Sequence, residues 1–323
     1  MLKISVAICT HNPRADFLTR ALAGLKTQTL PMGDWEFLII DNASREPLSA
    51  SWDLSWHPRA KVIREEKLGL TPARLRAISE ARSQLLVFVD DDNVPAEDYL
   101  EQALRLGGEW PMLGAWGGSI VPSFEVEPPA WAGPYLRYLA LREVREDKWS
   151  NLTDNPGLMP WGAGMCVRRE VALEYARRLA ADPVRLALDR RGQALPSCGD
   201  SDFAMTACDM GLGTGLFRAL RLTHLIPAGR LQEAYLLRLM QGMAYSLAIL
   251  QALRGPPPGW PSWARRLWGH LSALRRGPRE FRFHRASQRG LRAALKEVAS
   301  WEDQRPPLEP RSANRPTEGA FRA

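Results

Sequence analysis

The first third of the chain places apolar side chains in short unbroken runs separated by stretches of helical period. The runs are Ile4 to Cys9, Phe37 to Ile40, Val62-Ile63 and Leu85 to Val89. Phe17, Leu18, Ala21, Leu22 and Leu25 repeat on one face and predict a helix over Asp16 to Thr27. Thr71 to Ala81 predicts a second, with Thr71 suited to the cap and Pro72 to the first turn. Continuous rather than alternating strands, spaced by helices, predict a parallel sheet covered on both faces.

Past Asp92 the pattern changes. Pro95 to Leu106 reads as a helix, Ala115 to Val121 as a strand, and Pro122 to Pro134 as a loop rich in Pro and Trp. Gly162 to Val167 predicts another strand, Arg169 to Ala180 and Asp200 to Met210 two helices, and Phe217 to His224 an extended segment. Leu231 to Leu253 has the period of a long amphipathic helix, broken by Gly255-Pro256-Pro257-Pro258-Gly259. From Asp303 the chain is Pro-rich and polar, the composition of a disordered tail. Gly211-x-Gly213-x-Gly215 follows a helix pattern rather than a strand, so it reads as helix termination and not as a dinucleotide fingerprint.

Composition sets bounds. A length of 323 residues suggests two domains, or one large one with an appendage. Apolar residues at 45% and charged residues at 24% exclude a wholly disordered or collagen-like chain. Lys plus Arg exceed Asp plus Glu by 43 to 36, a net charge of +7, which favours anionic partners without choosing among them. Cys9, Cys166, Cys198 and Cys208 form no Cys-x-x-Cys pair and read as free thiols in a reducing compartment. The opening MLKISVAICTHNPR lacks the features of a signal peptide, and no uncharged run approaches ~20 apolar residues. A soluble, cytoplasmic protein is the expectation.

In an open α/β sheet, ligands bind beyond the carboxyl ends of the strands. Thr10-His11-Asn12 follow the first run, Asp41-Asn42 the second and Asp90-Asp91-Asp92 the fourth, so polar groups converge on one edge. Three adjacent carboxylates repel one another unless a cation sits among them. Mg²⁺ or Mn²⁺ prefers such oxygen ligands and keeps places for waters and phosphates. A solvated acidic turn is the simpler account of the triplet alone. Its place beside two other polar strand ends favours the cation, with Asp92 as the chosen ligand.

Four segments, in this order and spacing, resemble the family 2 glycosyltransferases: VAICTHNPRADFLTRALAGLKTQTLPMGDWEFLIIDNAS, KLGLTPARLRAISEARSQLLVFVDDDNVPAEDYL, WGAGMCVRREV and CGDSDFAMTACDMGLG. The resemblance runs from Ile4 to Gly242. It implies the GT-A fold, a Rossmann-like α/β architecture with a mixed, mostly parallel sheet flanked by helices. It also implies transfer of a sugar from a nucleotide-diphosphate donor, UDP-linked by preference, to an acceptor hydroxyl with inversion. Surface polysaccharide or glycolipid synthesis is the family-level setting. The expected organisation is a catalytic domain over 1–225 (donor half 1–120, acceptor half 121–225), a helical extension over 226–302 and the tail over 303–323.

The resemblance also implies residue roles. Asp91 belongs with the ribose and metal surroundings, and Asp90 supports it. Asp41 matches the residue that meets the nucleobase, although Asp-Asn is equally good turn chemistry. Thr10, His11 and Arg14 belong to the first nucleotide loop. Gly69 and Arg74 belong to the loop and helix that approach the diphosphate. Trp161, Gly162 and Ala163 match the acceptor and donor-sugar pocket. His224 is a weaker candidate for the metal or diphosphate. Asp200 aligns with the base that takes the acceptor proton, and it stands equally where a helix N-cap would. Gly199 replaces the usual Glu before it and Cys198 the usual Gly. Asp202 reads as a first-turn carboxylate favoured by the helix dipole.

Beyond the helical break, Trp260, Trp263 and Trp268 interleave with Arg265, Arg266, Arg275 and Arg276, and Arg279, Arg282, Arg285 and Arg289 follow. That mixture suits an anionic lipid interface, so a peripheral contact through 260–289 with the inner membrane face is expected; a solvated helical appendage accounts for it equally. No RNA- or DNA-binding motif is present, so no specific nucleic-acid partner is expected. A phosphotransferase would want a carboxylate after the first strand, where Thr10-His11 stand. The alternative to an enzyme is a catalytically silent scaffold that binds nucleotide sugars.

Overall fold

The structure, a computed structural model, describes residues 2–153, 155–188, 195 and 197–301; the expected tail over 303–323 lies outside them. The chain opens with β1 (Ile4–Thr10), α1 (Ala15–Lys26), β2 (Trp35–Asn42), the short α2 (Leu48–Ser51), β3 (Ala60–Glu65), α3 (Leu70–Glu80) and β4 (Leu85–Val89). It continues with β5 (Asn93–Pro95), α4 (Tyr99–Glu109), β6 (Leu113–Phe124), β7 (Lys148–Ser150), β8 (Met165–Arg168) and α5 (Arg169–Ala181). Then come α6 (Gly199–Asp209), β9 (Gly213–Ile226), α7 (Glu233–Arg254), α8 (Trp263–Arg276) and α9 (Pro278–Trp301).

One sheet runs β3-β2-β1-β4-β8-β6-β9-β5, with β7 also paired to β9. Among the described strands, β1, β2, β3, β4, β6 and β9 point one way, and β5, β7 and β8 run against them. The sheet is thus mixed and mostly parallel, as expected. β1, β2 and β4 are buried along almost their whole length, which explains their unbroken apolar runs. One core layer packs α1 and α4 on the sheet through Leu18, Leu22, Tyr99 and Leu106. The opposite layer packs α3, α5, α6, the end of α7 and the end of α9.

Four expectations need correction. Asn93–Pro95 is a strand and the helix starts only at Tyr99. Pro95 cannot continue a helix ladder but suits a sheet edge, and β9 captures that segment. The strand predicted from Gly162 begins at Met165, because Gly164 turns the chain at φ 75°. Within the predicted loop over Pro122 to Pro134, β6 extends to Phe124 and a 3-10 helix forms over Ala130–Tyr138. The helix at Asp200 begins one residue earlier, with Cys198 as its N-cap.

Two of the C-terminal helices, α7 and α9, belong to the same core. α7 is apolar enough over 18 residues to match a membrane span by length and composition, which the run-length reading did not anticipate. Its apolar side chains Ala248, Ile249, Leu250 and Leu253 instead join the core beneath the sheet. α9 crosses α7 closely, because a β-carbon at Gly290 would meet the Gln241 carbonyl. All four cysteines are free, two buried and two partly so.

Candidate active site

β1 and β2 run in register to Thr10 and Asp41, and β4 ends at Val89, level with Ile8. The turn after β4 therefore lies beside the end of β1. The Thr10 hydroxyl donates to Asp91. Burial, then the neighbouring Asp92 charge, pushes the Asp91 carboxyl up to about 7. Asn93 donates its backbone N–H to the Asp90 carbonyl at 3.0 Å and its side-chain amide to Asp92 Oδ1 at 3.0 Å.

β5 carries this turn onto β9. Asn93 pairs with His224, and Leu225 donates its N–H to the Asp92 carbonyl at 2.8 Å. His224 Nε2 thus lies 3.4 Å from Asp92 Oδ2. The Arg230 guanidinium bonds both atoms, at 2.8 Å to His224 Nε2 and 2.8 Å to Asp92 Oδ2. Because Arg230 can only donate, Nε2 accepts and the proton sits on Nδ1, which is buried without a partner. Two acceptors, one on the turn before β5 and one on β9, therefore aim at one cation.

That arrangement tests the metal expectation. A carboxylate oxygen and an imidazole lone pair converging on one point are a fitting donor pair for Mn²⁺ or Mg²⁺, and the guanidinium now fills the place of the positive charge. Among the described residues, no group of three His, Cys, Asp or Glu side chains forms a larger ligand set. Ligands beyond Asp92 and His224 would have to come from substrate phosphates and water.

A second cluster lies alongside. Extending the β4–β8 pairing past Phe88 and Met165 brings the Gly162–Gly164 turn beside Asp90 to Asp92. The Tyr99 hydroxyl donates to the Gly164 carbonyl and fixes that turn. Asp200, the second residue of α6, accepts the Gly162 N–H on Oδ2 at 3.0 Å and the Ser201 N–H on Oδ1 at 2.7 Å. A β-carbon at Gly162 would collide with the Arg74 guanidinium and lie 3.5 Å from the Asp200 β-carbon. Arg142 lies across the Trp161 ring, 3.7 Å from its centroid, and donates to the Met159 carbonyl at 2.8 Å. Burial pushes Arg142 down to about 10, opposed by the Asp200 charge. Ala163 is buried in the same turn.

The other candidates serve the loops. Asp41 accepts N–H bonds from Ser44 at 3.1 Å and Leu48 at 3.2 Å, and pairs with Arg64 at 2.9 Å. Burial works to raise its carboxyl, but bonds from Ser44, Arg64 and the Leu48 N–H outweigh it and leave it below the usual range. Those contacts are the turn chemistry that the Asp-Asn pair also suited. His11 places Nδ1 2.7 Å from the Asn42 carbonyl oxygen. Gly69, the N-cap of α3 at φ 140°, donates its N–H to Asn42 Oδ1 at 2.8 Å. Arg14 forms exposed ion pairs with Asp16 and Glu125. Asp202 is in the first turn of α6 as expected, but its main partners are Arg185 at 2.6 Å and Arg254 at 2.8 Å.

The sequence reading missed Arg230 and Arg142. Arg230 stands six residues after His224, just past Pro227, and that spacing was a usable signal. Arg142 lies in an irregular segment with no periodicity to mark it.

Comparison with known proteins bears on the family and the fold. The Glycosyl transferase family 2 profile matches residues 5–170. EpsH of Bacillus subtilis, a glycosyltransferase by name, is 31% identical over 108 residues, which cover 33% of this chain and 30% of that protein. Glycosyltransferase AglE of Haloferax volcanii is 26% identical over 104 residues, 31% of this chain and 34% of AglE. The aligned part thus spans about a third of each relative. The structure of S. aureus TarS 1-349 in complex with UDP-GlcNAc superposes with a TM-score of 0.55 at 16% identity, covering 92% of this chain and 80% of that one. GalNAc-T7 with UDP, GalNAc and Mn²⁺ gives 0.52 at 16% identity, covering 96% and 59%. Those two likenesses establish the GT-A fold, and the profile match over half the chain places this protein in glycosyl transferase family 2.

Proposed function

We propose that this protein is a metal-dependent, inverting glycosyltransferase that moves a sugar from a UDP-sugar to an acceptor hydroxyl. The observation that carries the reading is the pairing of two clusters on one sheet edge. Asp92 and His224 aim acceptor atoms at a single cation, and next to them Asp200 is held by two backbone N–H groups. The UDP-GlcNAc in TarS and the UDP and Mn²⁺ in GalNAc-T7 support a UDP-sugar and a divalent ion for this chain as well.

The roles divide as follows. Asp92 and His224 would hold the ion, which when bound supplies positive charge to the diphosphate as it leaves. Thr10, Asp91 and Asp90 shape the floor beneath the ribose and diphosphate, Asp41 and His11 the nucleoside end, and Gly69 and Arg74 the diphosphate side. Arg74 and Arg142 add fixed positive charge near the reacting centre. Asp200 takes the acceptor hydroxyl proton while the new bond forms between that oxygen and the anomeric carbon. The bond from that carbon to the diphosphate breaks on the opposite face, and the nucleoside diphosphate departs with the electron pair. Two backbone donors orient the Asp200 carboxylate in advance, so little reorganisation is needed at that moment. Trp161, Gly162 and Ala163 line the sugar pocket. Arg142 also borders an open depression of about 380 Å³ with Glu143, Arg145 and Lys148, a polar approach suited to a hydroxylated acceptor.

The test is a thermal-shift screen of nucleoside diphosphates with Mn²⁺ or with EDTA, followed by transfer or donor-hydrolysis assays. UDP with Mn²⁺ should stabilise the protein most. Asp92→Asn should lose the metal-dependent part of that shift, and Asp200→Asn should keep it while losing transfer. No shift with any nucleotide overturns the reading. Normal transfer by Asp200→Asn overturns the base assignment, and binding without any turnover makes the chain a silent scaffold.

A further inference from the structure

α8 faces the wrong way for a helix of a closed globular domain. Its only fully buried side chain is Ala273, and its inward contact is through small residues, with His284 of α9 only 3.2 Å from where a Gly269 β-carbon would stand. The outward face carries Trp263, Leu267, Trp268, Leu271 and Leu274, with Trp260 just ahead of the helix. Trp263 is 72% exposed and Trp268 73%. At about 100° per residue, all five helical positions fall within an arc of about 140°. Water therefore meets an apolar stripe that runs from Trp263 to Leu274, with Arg275 at its end.

Positive charge frames that stripe. Arg265 and Arg266 flank it on its two sides and Arg275 stands within the arc at its C-terminal end, and among the described residues none of these three forms an ion pair. From Arg265 to Lys296 the chain has nine arginines, one lysine and a single acid, Glu280, which bonds the Tyr135 hydroxyl. Arg285, Arg289 and Arg292 are also exposed on α9.

We propose that the outward face of α8 docks on an anionic lipid bilayer, with Trp263 and Trp268 at headgroup depth, the leucines below them and the arginines on lipid phosphates. Charge decides against the other occupants. A second copy would bring the same arginines against themselves across a two-fold contact. Nucleic acid would use the arginines but leave three exposed leucines without a role. An anionic bilayer satisfies both halves of the pattern. The inference stands on α8 and α9 alone and does not depend on the transferase reading. It also gives the site a direction. Arg279 and Arg282, at the start of α9, both pair with Glu233 at the start of α7, three residues after Arg230 enters the site.

The test is co-sedimentation of the full chain with vesicles of phosphatidylcholine alone or mixed with phosphatidylglycerol, at low and high salt. Binding is expected to the mixed vesicles at low salt, to weaken with salt, and to drop about tenfold or more in Arg265→Gln/Arg275→Gln. Trp263→Glu/Trp268→Glu should abolish it with an unchanged melting temperature, since both rings are exposed. No binding to mixed vesicles overturns the proposal, as does equal binding to neutral vesicles or full binding by the Trp variant. Self-association of the free protein that the Trp variant removes, without vesicle binding, makes the face a contact between copies and also overturns it.

Discussion

Arg230 holds Asp92 Oδ2 and His224 Nε2 together at the end of the sheet, and all three side chains are largely shielded from water. A buried carboxylate without a counter-charge is costly, and removing one partner of a fully buried pair costs about 3–5 kcal/mol. Arg230 is partly exposed, so Arg230→Ala should cost about 2 kcal/mol, below that range. If the same acceptors suit a dication, Mn²⁺ should restore most of the loss in this variant and little in Arg230→Ala/Asp92→Asn. Urea titrations with and without metal measure it, and indifference of the single variant to Mn²⁺ would remove the cation role from this pair. The contrast between Asp92 and Arg230 also marks what single residues disclose. Asp92 was legible because three adjacent carboxylates at the end of a buried strand repel one another and need a positive charge close by. Arg230 was not, because one arginine among many declares its partner only once β5 and β9 have paired.

The same holds one level up. Long apolar segments with clear period were readable, and α1, α3 and β4 lie within a residue or two of their sequence limits. β5 was hidden, because three residues ending in Pro resemble a helix start until a partner strand is known. β7, equally short, had no signal of its own. The association of helices on the face beneath the sheet was also unreadable, since it runs through charge. Asp202 of α6 is fully buried and bonds Arg185 from the segment after α5 and Arg254 from the end of α7. Asp209 of α6 joins Arg178 of α5 and the same Arg254. Two carboxylates and three guanidiniums thus clamp three helices. Arg254→Met should leave Asp202 with Arg185 alone and cost about 3 kcal/mol, read as a lower urea midpoint with an unchanged slope. A neutral result would mean that packing, not the ion pairs, holds α7 to α6.

For the molecule as a whole, two histidines and Asp91 pull stability in opposite directions as acidity changes. His57 is buried against Trp35, with ring centroids 4.1 Å apart, and burial followed by the Arg59 charge lowers it to about 4. His284 bonds His270 across the α8–α9 contact at 2.7 Å, and burial, His270 and Arg276 lower it too. Both are held neutral in the folded chain, so the unfolded chain binds more protons as pH falls through about 6.5. The histidine contribution should be full above that value and decline toward pH 4, while Asp91, whose carboxyl burial pushes up to about 7, takes up its proton in the folded chain over the same interval and offsets that decline. Melting curves of the protein and of His57→Gln against pH check it: on acidification from pH 7 to 4.5 the variant should be spared the histidine loss and end more stable relative to the protein than it began. Parallel curves for the protein and His57→Gln between pH 7 and 4.5 would mean that the His57 ring is not held neutral. Fold class, and the gathering of polar strand ends on one edge, were legible at this scale because a doubly covered parallel sheet has a strong pattern. The outward stance of α8 was not, since a helix's period reports that it has an apolar face and not which way that face is turned.

The crossing of β5 onto β9 has one more consequence, for the order in which the molecule matures. Asp92 and Arg230 are separated by 138 positions. During synthesis the first four strands can collapse long before their distant partner leaves the ribosome, and contacts of such wide separation close slowly. On that order the sheet would close before Asp92 meets Arg230. A fragment ending short of β9 would be a sheet with half a mouth, and grip on a nucleotide would serve as a late certificate that the whole polypeptide has arrived.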